Sequence, residues 1–332
     1  MPPKLKALIL QTLKVTIPLF LGIIILYFLY KGTNFSELWA TIRSANWVIL
    51  SVSLLFGLSG NVIRGLRWNL IIKSLGYYPR KLNLVYAVLG NYAVNFALPR
   101  VGEIWRCTII SKKEKVPFSK LIGTLIVDRV FDMLMVLLIT LIAFLLNAKA
   151  FHRNHELFDL SPVLTSAPLY IALGLVVVIA VAILVFFKEN KIVKSIQNFF
   201  TGLYKDILVV GKMKQKKRFI VYTFGIWISY FLYFFITFFA FDFTAHLGFA
   251  AALFIFTLNS ISMGVPSNGG LGPWQAATVL GLCAFMVSRE HATAFATAVF
   301  AFQSIWVVLC GLFGIAMLSY QKSKESHVNV TD

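Results

Sequence analysis

The chain has 332 residues, 59% of them hydrophobic and 13% charged, with a mean hydropathy of +0.81. That balance excludes an ordinary soluble domain and indicates an integral membrane protein. The net charge of +18 would suggest a nucleic-acid ligand in a soluble chain. Here the cations flank apolar runs, so a membrane and not a nucleic acid is the expected partner.

A hydrocarbon core of ~30 Å takes roughly 20 apolar residues to cross. About six full transmembrane helices are predicted, near Val15–Tyr30, Trp47–Ile63, Leu121–Leu146, Ala167–Phe187, Phe219–Phe241 and Ala292–Tyr320. The first follows Lys4, Lys6 and Lys14 with no small-residue cleavage site after it, which reads as a retained signal anchor. Arg64 and Arg67, after the second span and beside Trp68, read as interfacial anchors.

Two apolar stretches break at a proline–glycine cluster. Leu84–Pro99 is followed by Arg100, Gly102, Glu103 and Arg106; Ala251–Pro266 is followed by Ser267–Pro273, which contains Gly269, Gly270 and Gly272. Irregular backbone at membrane depth is tolerated only inside protein or beside a wet cavity. Both breaks are therefore expected to form re-entrant hairpins, at 84–99 and 251–287, with Pro99, Gly102 and Pro266 as the structural breaks. Similar elements in two halves point to the binding site of a transporter built on an inverted-topology repeat. The fold class expected is an all-α polytopic membrane protein. It is expected as one integral membrane domain over 1–332, with its core at 15–320 and a short polar cytoplasmic tail at 321–332.

Counted on this topology, the 31 basic residues fall on one side except Lys31, Arg43, Lys149, Arg153 and Arg289, with Arg129 inside a span. The bias puts both termini in the cytoplasm and the protein in the cytoplasmic (inner) cell membrane. Turning one break into a full span would place the cation-dense segment Lys188–Arg218 outside. The KMKQKKR run at Lys212–Arg218 suits contact with anionic lipid.

Three segments carry polar chemistry. Asp128, Arg129 and Asp132 lie on one span, Asp128 and Asp132 four apart on a shared face. Each such charge costs about 2.5–3.5 kcal/mol at a helix centre, so they must pair or face the protein interior. Arg129 is expected to pair with Asp132 or with a carboxylate on another helix such as Glu103. They suit a polar cavity wall or, equally, a structural ion-pair network. Arg100, Glu103 and Arg106 follow the first break, and the planar guanidinium fork suits a phosphate. They are also read as a solvated basic loop near anionic lipid. Gly269, Gly270 and Gly272 can turn backbone N–H groups toward an anion ahead of a helix starting near Trp274, with Pro273 at its first position. A tight turn needs glycine in any case.

Enzyme signatures are mostly missing. No P-loop or G-x-S-x-G motif occurs, so no catalytic residue, cofactor or metal is expected. His152, His155, Glu156 and Asp159 read as solvated loop residues. Cys107, Cys283 and Cys310 read as reduced packing residues.

Four segments in order, Gly60–Trp68 (GNVIRGLRW), Asn95–Arg106 (NFALPRVGEIWR), Val127–Asp132 (VDRVFD) and Pro266–Gln275 (PSNGGLGPWQ), resemble the lysylphosphatidylglycerol synthase transmembrane family of flippase-like proteins. That family includes the membrane half of the bacterial multiple peptide resistance factor. The resemblance runs roughly from Thr16 to Ile315. Its pattern carries over to Pro99, Gly102, Glu103, Arg106, Arg129, Asp132, Pro266, Gly269, Gly270 and Gly272. Asp128 stands where the family more often has glutamate, and Gln275 where it often has glutamate after the last motif. No aminoacyl-transferase domain is recognisable. The resemblance implies translocation or handling of an anionic phospholipid or a polyprenyl-phosphate lipid between leaflets. The alternatives are an intramembrane lipid-modifying enzyme, and a non-transporting partner of a glycosyltransferase or lipid synthase. A homo-oligomer is also compatible with the sequence.

The topology has a direct test. Cysteines introduced as Ser111→Cys and Lys214→Cys should be labelled from the cytoplasmic side only, and Asn154→Cys from outside. Labelling of positions 111 and 214 from opposite sides would remove the hairpins and the inverted repeat together.

Overall fold

A computed structural model describes residues 19–20, 22–153 and 213–328. The chain divides into two compact units, Met1–Leu146 with Gln215–Asp332, and Asn147–Lys214. The first unit carries all that follows. The expected span at 167–187, most of the cation-dense segment, His155 and Asp159, and the last residues of the tail lie outside the described residues.

The described chain is helical, with no strand among its described residues. In order come α1 (22–30), α2 (Phe35–Arg43), α3 (Trp47–Ser74), α4 (Lys81–Ala97), α5 (Val101–Glu114) and α6 (Phe118–Arg153). Then follow α7 (Lys216–Phe235), which continues as a 3-10 turn at Ile236–Ala240, α8 (Asp242–Ala245), α9 (Phe249–Ser262), α10 (Pro273–Ala284) and α11 (Arg289–Val328). Four segments are long and apolar enough to cross a membrane: Trp47–Ser74, Phe118–Asn147, Lys216–Ala240 and Arg289–Gln321. They correspond to four of the expected spans.

The second span is longer than expected. Helix α3 starts where the Asn46 side chain accepts from the N–H groups of Val48 (3.1 Å) and Ile49 (3.2 Å) and stops just before Gly76, at φ 87°. Its 28 residues carry it well past Ile63, because Arg64 and Arg67 find carboxylates inside the protein. The two arginines are 4% and 0% exposed. Their interfacial placement is corrected: both lie in the protein interior.

Both breaks take helix–turn–helix form. Helix α4 ends at Ala97 with Leu98 extended (φ −132°, ψ 104°), the conformation a following proline favours. Arg100 then turns left-handed at φ 63°, and Asn95 Oδ1 accepts from the Gly102 N–H at 2.8 Å, capping α5. A Cβ at Gly102 would strike the Asn91 carbonyl oxygen, so glycine alone allows the two arms to lie this close. In the second break Gly269, Gly270 and Gly272 all have positive φ (61°, 93° and 89°), and Pro273 opens α10 at its first position. The arms have 17 and 14 residues in α4 and α5, and 14 and 12 in α9 and α10. At 1.5 Å per residue none reaches the ~30 Å of a hydrocarbon core.

Packing fixes each hairpin in place. Trp68 of α3, Leu84 and Val88 of α4, Cys107 and Ile110 of α5 and Leu121 of α6 share one buried cluster. An aromatic set holds the second hairpin: Phe231 of α7 lies edge-on to Phe256 of α9 at 5.6 Å, and Phe234 to Trp274 of α10 at 6.0 Å. Cys107 is buried, and the three cysteines are unpaired.

Candidate functional site

A buried ion cluster joins three elements. On α6, Asp128 and Asp132 project from one face; on α3, Arg64 and Arg67, three residues apart, project toward them. Arg67 Nη2 lies 2.6 Å from Asp128 Oδ1 and 2.7 Å from Asp132 Oδ1, and its Nη1 donates to Thr223 Oγ1 of α7 at 3.4 Å. Arg64 Nη1 lies 2.7 Å from Asp132 Oδ2 and 3.5 Å from Asp128 Oδ2, while its Nε donates to the Tyr230 hydroxyl at 3.2 Å. Tyr230 donates in turn to Asn61 Oδ1 at 2.8 Å and its hydroxyl lies 3.0 Å from that of Tyr92. From the first hairpin, Arg106 reaches Asp128 Oδ2 at 3.3 Å and lies over the Trp68 ring at 4.7 Å.

Arg129 stands apart from this dry core. It pairs with Glu103 in the first turn of α5 and lies 3.7 Å from Asp132. Its side chain is 43% exposed and that of Glu103 23%, against 0% for Arg67 and Asp128.

The exposed edge of the cluster opens into a cavity of about 630 Å³. Arg64, Arg100, Glu103, Arg129 and Asp132 line it, together with Gly269 and Gly270 of the second break. Aromatic walls come from Tyr92, Trp227, Tyr230 and Trp274. The hairpin tips meet beside it. Arg100 Nη2 donates to the Gly264 carbonyl at 2.6 Å, and Asn268 Nδ2 donates to the Phe96 carbonyl at 3.1 Å.

Of the residues expected at the site, Arg100, Glu103, Arg129, Asp132, Gly269 and Gly270 are brought together in the cavity wall. Arg106 and Asp128 sit behind that wall as members of the buried cluster. Gly272 is also outside the lining: it packs on the backbone of Gly22 in α1, and its N–H is taken by Gln275 Oε1 at 2.8 Å. Pro99 and Pro266 stand in the two turns.

Sequence reasoning missed Arg64, Arg67 and the Tyr92–Tyr230 pair as members of the site. The signal was present for the arginines. Their i,i+3 spacing, and the apolar Leu70-Ile71-Ile72 after them, mark a helix that continues with one charged face.

Counted as charges, four guanidinium groups (Arg64, Arg67, Arg106, Arg129) face three carboxylates (Glu103, Asp128, Asp132). Arg100 adds a fifth cation, with no carboxylate in ion-pair range among the described residues. Of these, Arg64, Arg100 and Arg129 line the cavity against Glu103 and Asp132, so the wall itself carries more cation than carboxylate, a balance that favours an anion. No group of three metal-ligating side chains occurs among the described residues.

Long apolar helices, two meeting hairpins and a buried ion cluster at a cavity define an α-helical polytopic membrane protein. The model of the lysylphosphatidylglycerol synthase TM region matches residues 15–311, and the chain belongs to that family, a membrane-protein family linked to lipid handling. A UPF0104 membrane protein of Methanocaldococcus jannaschii is 25% identical over 257 residues, covering 70% of this chain and 74% of its own length. No solved structure matches.

The buried cluster makes a stability prediction. Arg67→Ala leaves Asp128 and Asp132 short of their shared guanidinium and should cost about 3–5 kcal/mol, as removal of one partner from a dry ion pair does. A thermal unfolding series in detergent measures it. An unchanged midpoint would mean that water reaches the cluster.

Proposed function

We propose that the protein translocates an acidic lipid between leaflets, its headgroup phosphate entering the cavity between the two hairpins while the tails remain in the bilayer. One observation carries this: both breaks converge on one cavity whose charged wall holds more guanidinium than carboxylate. A phosphate there meets planar donors and exposed backbone near the glycine turn, so it avoids much of the cost of crossing hydrocarbon. Aromatic walls accommodate the glycerol or sugar portion of a headgroup. The cytoplasmic membrane with both termini inside is the setting that the cation bias supports.

The test is reconstitution of the full chain in liposomes with a leaflet-specific acidic reporter lipid. Arg129→Lys keeps the charge but loses the fork, and should slow translocation per inserted molecule by about tenfold, the worth of ~1.4 kcal/mol. Gly270→Val should also impair it. Gly270 sits at φ 93°, and a Cβ there meets Met263 Sδ at 2.7 Å. Both variants should still insert. Normal rates in both would favour a non-transporting partner of a lipid synthase or glycosyltransferase; a chemically altered lipid would favour an enzyme.

A further inference from the structure

We propose that Glu103 is the specificity-determining residue of the cavity: a built-in carboxylate that occupies Arg129 until the phosphate of an acidic lipid displaces it. The proposal rests on the anion-binding reading of the cavity and adds what controls access to it.

Exposure singles out this pair. Asp128 is fully buried and held by Arg64, Arg67 and Arg106. Asp132 is 9% exposed and shared between Arg64 and Arg67 at 2.7 Å each. Neither carboxylate can leave without stranding several buried cations. Glu103 has one arginine partner, lies on a different helix from it, and lines the cavity with it.

A displaced Glu103 is also not stranded. It stands in the first turn of α5, where the helix dipole favours an anion, and it is already part-hydrated. Arg129 is left short in the resting state, since its Nε has no hydrogen-bond partner and its other carboxylate lies at 3.7 Å. A phosphomonoester such as that of phosphatidic acid offers about 1.5–2 negative charges and three terminal oxygens, against one charge and two oxygens for a carboxylate. A neutral headgroup has no anion to offer, and the one phosphodiester charge of a zwitterionic headgroup is offset by its own cation. Neither has the surplus to win the exchange, so the carboxylate acts as a threshold against them.

The proposal also explains why a carboxylate is tolerated in a cavity that takes anions. Without Glu103, Arg129 would add a second guanidinium lacking a close carboxylate to the same cavity as Arg100 and raise its affinity for anions without discrimination. With Glu103 on Arg129, the competent state is only part-populated, and apparent affinity falls by that fraction.

The experiment is calorimetric titration of the full chain, in an uncharged detergent, with dioctanoyl phosphatidic acid, dioctanoyl phosphatidylcholine and inorganic phosphate. Glu103→Gln, nearly isosteric, should tighten phosphatidic acid binding about three- to tenfold, the range expected for release of a partly exposed pair. It should also narrow the gap between the acidic and the zwitterionic lipid. Glu103→Ala should shift binding in the same direction. Arg129→Gln should weaken binding, and the gain from Glu103→Gln should vanish in the double variant. Unchanged or weaker binding in both Glu103 variants, with Arg129→Gln still weakening it, would make Glu103 a brace and overturn this proposal alone. Binding indifferent to Arg129→Gln would overturn the anion reading of the cavity itself. An equal gain for inorganic phosphate would keep the role of Glu103 but assign the site to a free anion, against the lipid.

Discussion

Charge neutralisation between α3 and α6 is the constraint on which the rest of the structure depends. Arg64, Arg67, Asp128, Arg129 and Asp132 place five charges away from the ends of two long, mainly apolar helices. At about 2.5–3.5 kcal/mol each, one such charge cancels the insertion drive of several leucines at roughly 0.3–0.6 kcal/mol apiece. Pairing removes that penalty only in one rotational register, since a one-residue slip turns a helical side chain by ~100°. Once the register is set, the neighbours follow. Tyr230 brings α7 to Arg64, Thr223 brings it to Arg67, and Arg106 ties the base of the first hairpin to Asp128.

The same cluster grades from saturated to unsaturated. At its dry end Asp128 meets three arginines, and Arg67 spends its nitrogens on two carboxylates, a threonine and a backbone carbonyl. At its cavity end Arg129 shares one part-exposed carboxylate, and Arg100 is left with a peptide carbonyl. A buried network whose charges are paired inside, with Arg106 Nε left unbonded, and which is short of anions at its wet edge holds together without a ligand, yet favours one of negative charge. On the proposed anion-binding reading, stability and function draw on different ends of one set of residues. That division explains why Arg106, on the first hairpin, lies behind the wall and Arg100, six residues earlier, lies in it.

The spans at α6, α7 and α11 and the two breaks were legible from hydropathy and from proline and glycine, because these signals are local. Asp128, Arg129 and Asp132 were legible as a group for the same reason: charges in an apolar run have no cheap exposed alternative. Arg64 and Arg67 were misplaced because a cation at the end of an apolar window looks like an interfacial anchor until its partner on a helix distant in sequence is known. Gly272 was expected to face an anion, but whether a turn's N–H points outward or is taken by its own helix depends on Gln275, three residues on. The meeting of Arg100 with Gly264 and of Asn268 with Phe96 is likewise a long-range fact. No local pattern encodes it.

Those tip contacts bear on how the cavity opens. Parting the hairpin tips breaks the Asn268–Phe96 hydrogen bond, worth about 0.5–1.5 kcal/mol net, and the Arg100–Gly264 hydrogen bond, worth about 1.5–3 kcal/mol as one to a charged group. Arg100 is exposed, so water replaces much of what it loses. Parting α3 from α6 instead strands Arg64 and Arg67 together with two aspartates, at about 3–5 kcal/mol for each dry partner removed. Parting the tips is therefore the cheaper opening, with Arg106 still holding its arm of the first hairpin to Asp128 and the ion cluster left intact. Among the described residues, the ion pair between the first hairpin and the α6 wall at the cavity is Glu103 with Arg129. On the proposed exchange, an anion that takes Arg129 would remove that contact and leave Arg106 with Asp128 as the remaining ion pair between α5 and α6 among the described residues. Occupancy would then weaken the hold on the tip end of the hairpin without any break in a transmembrane helix.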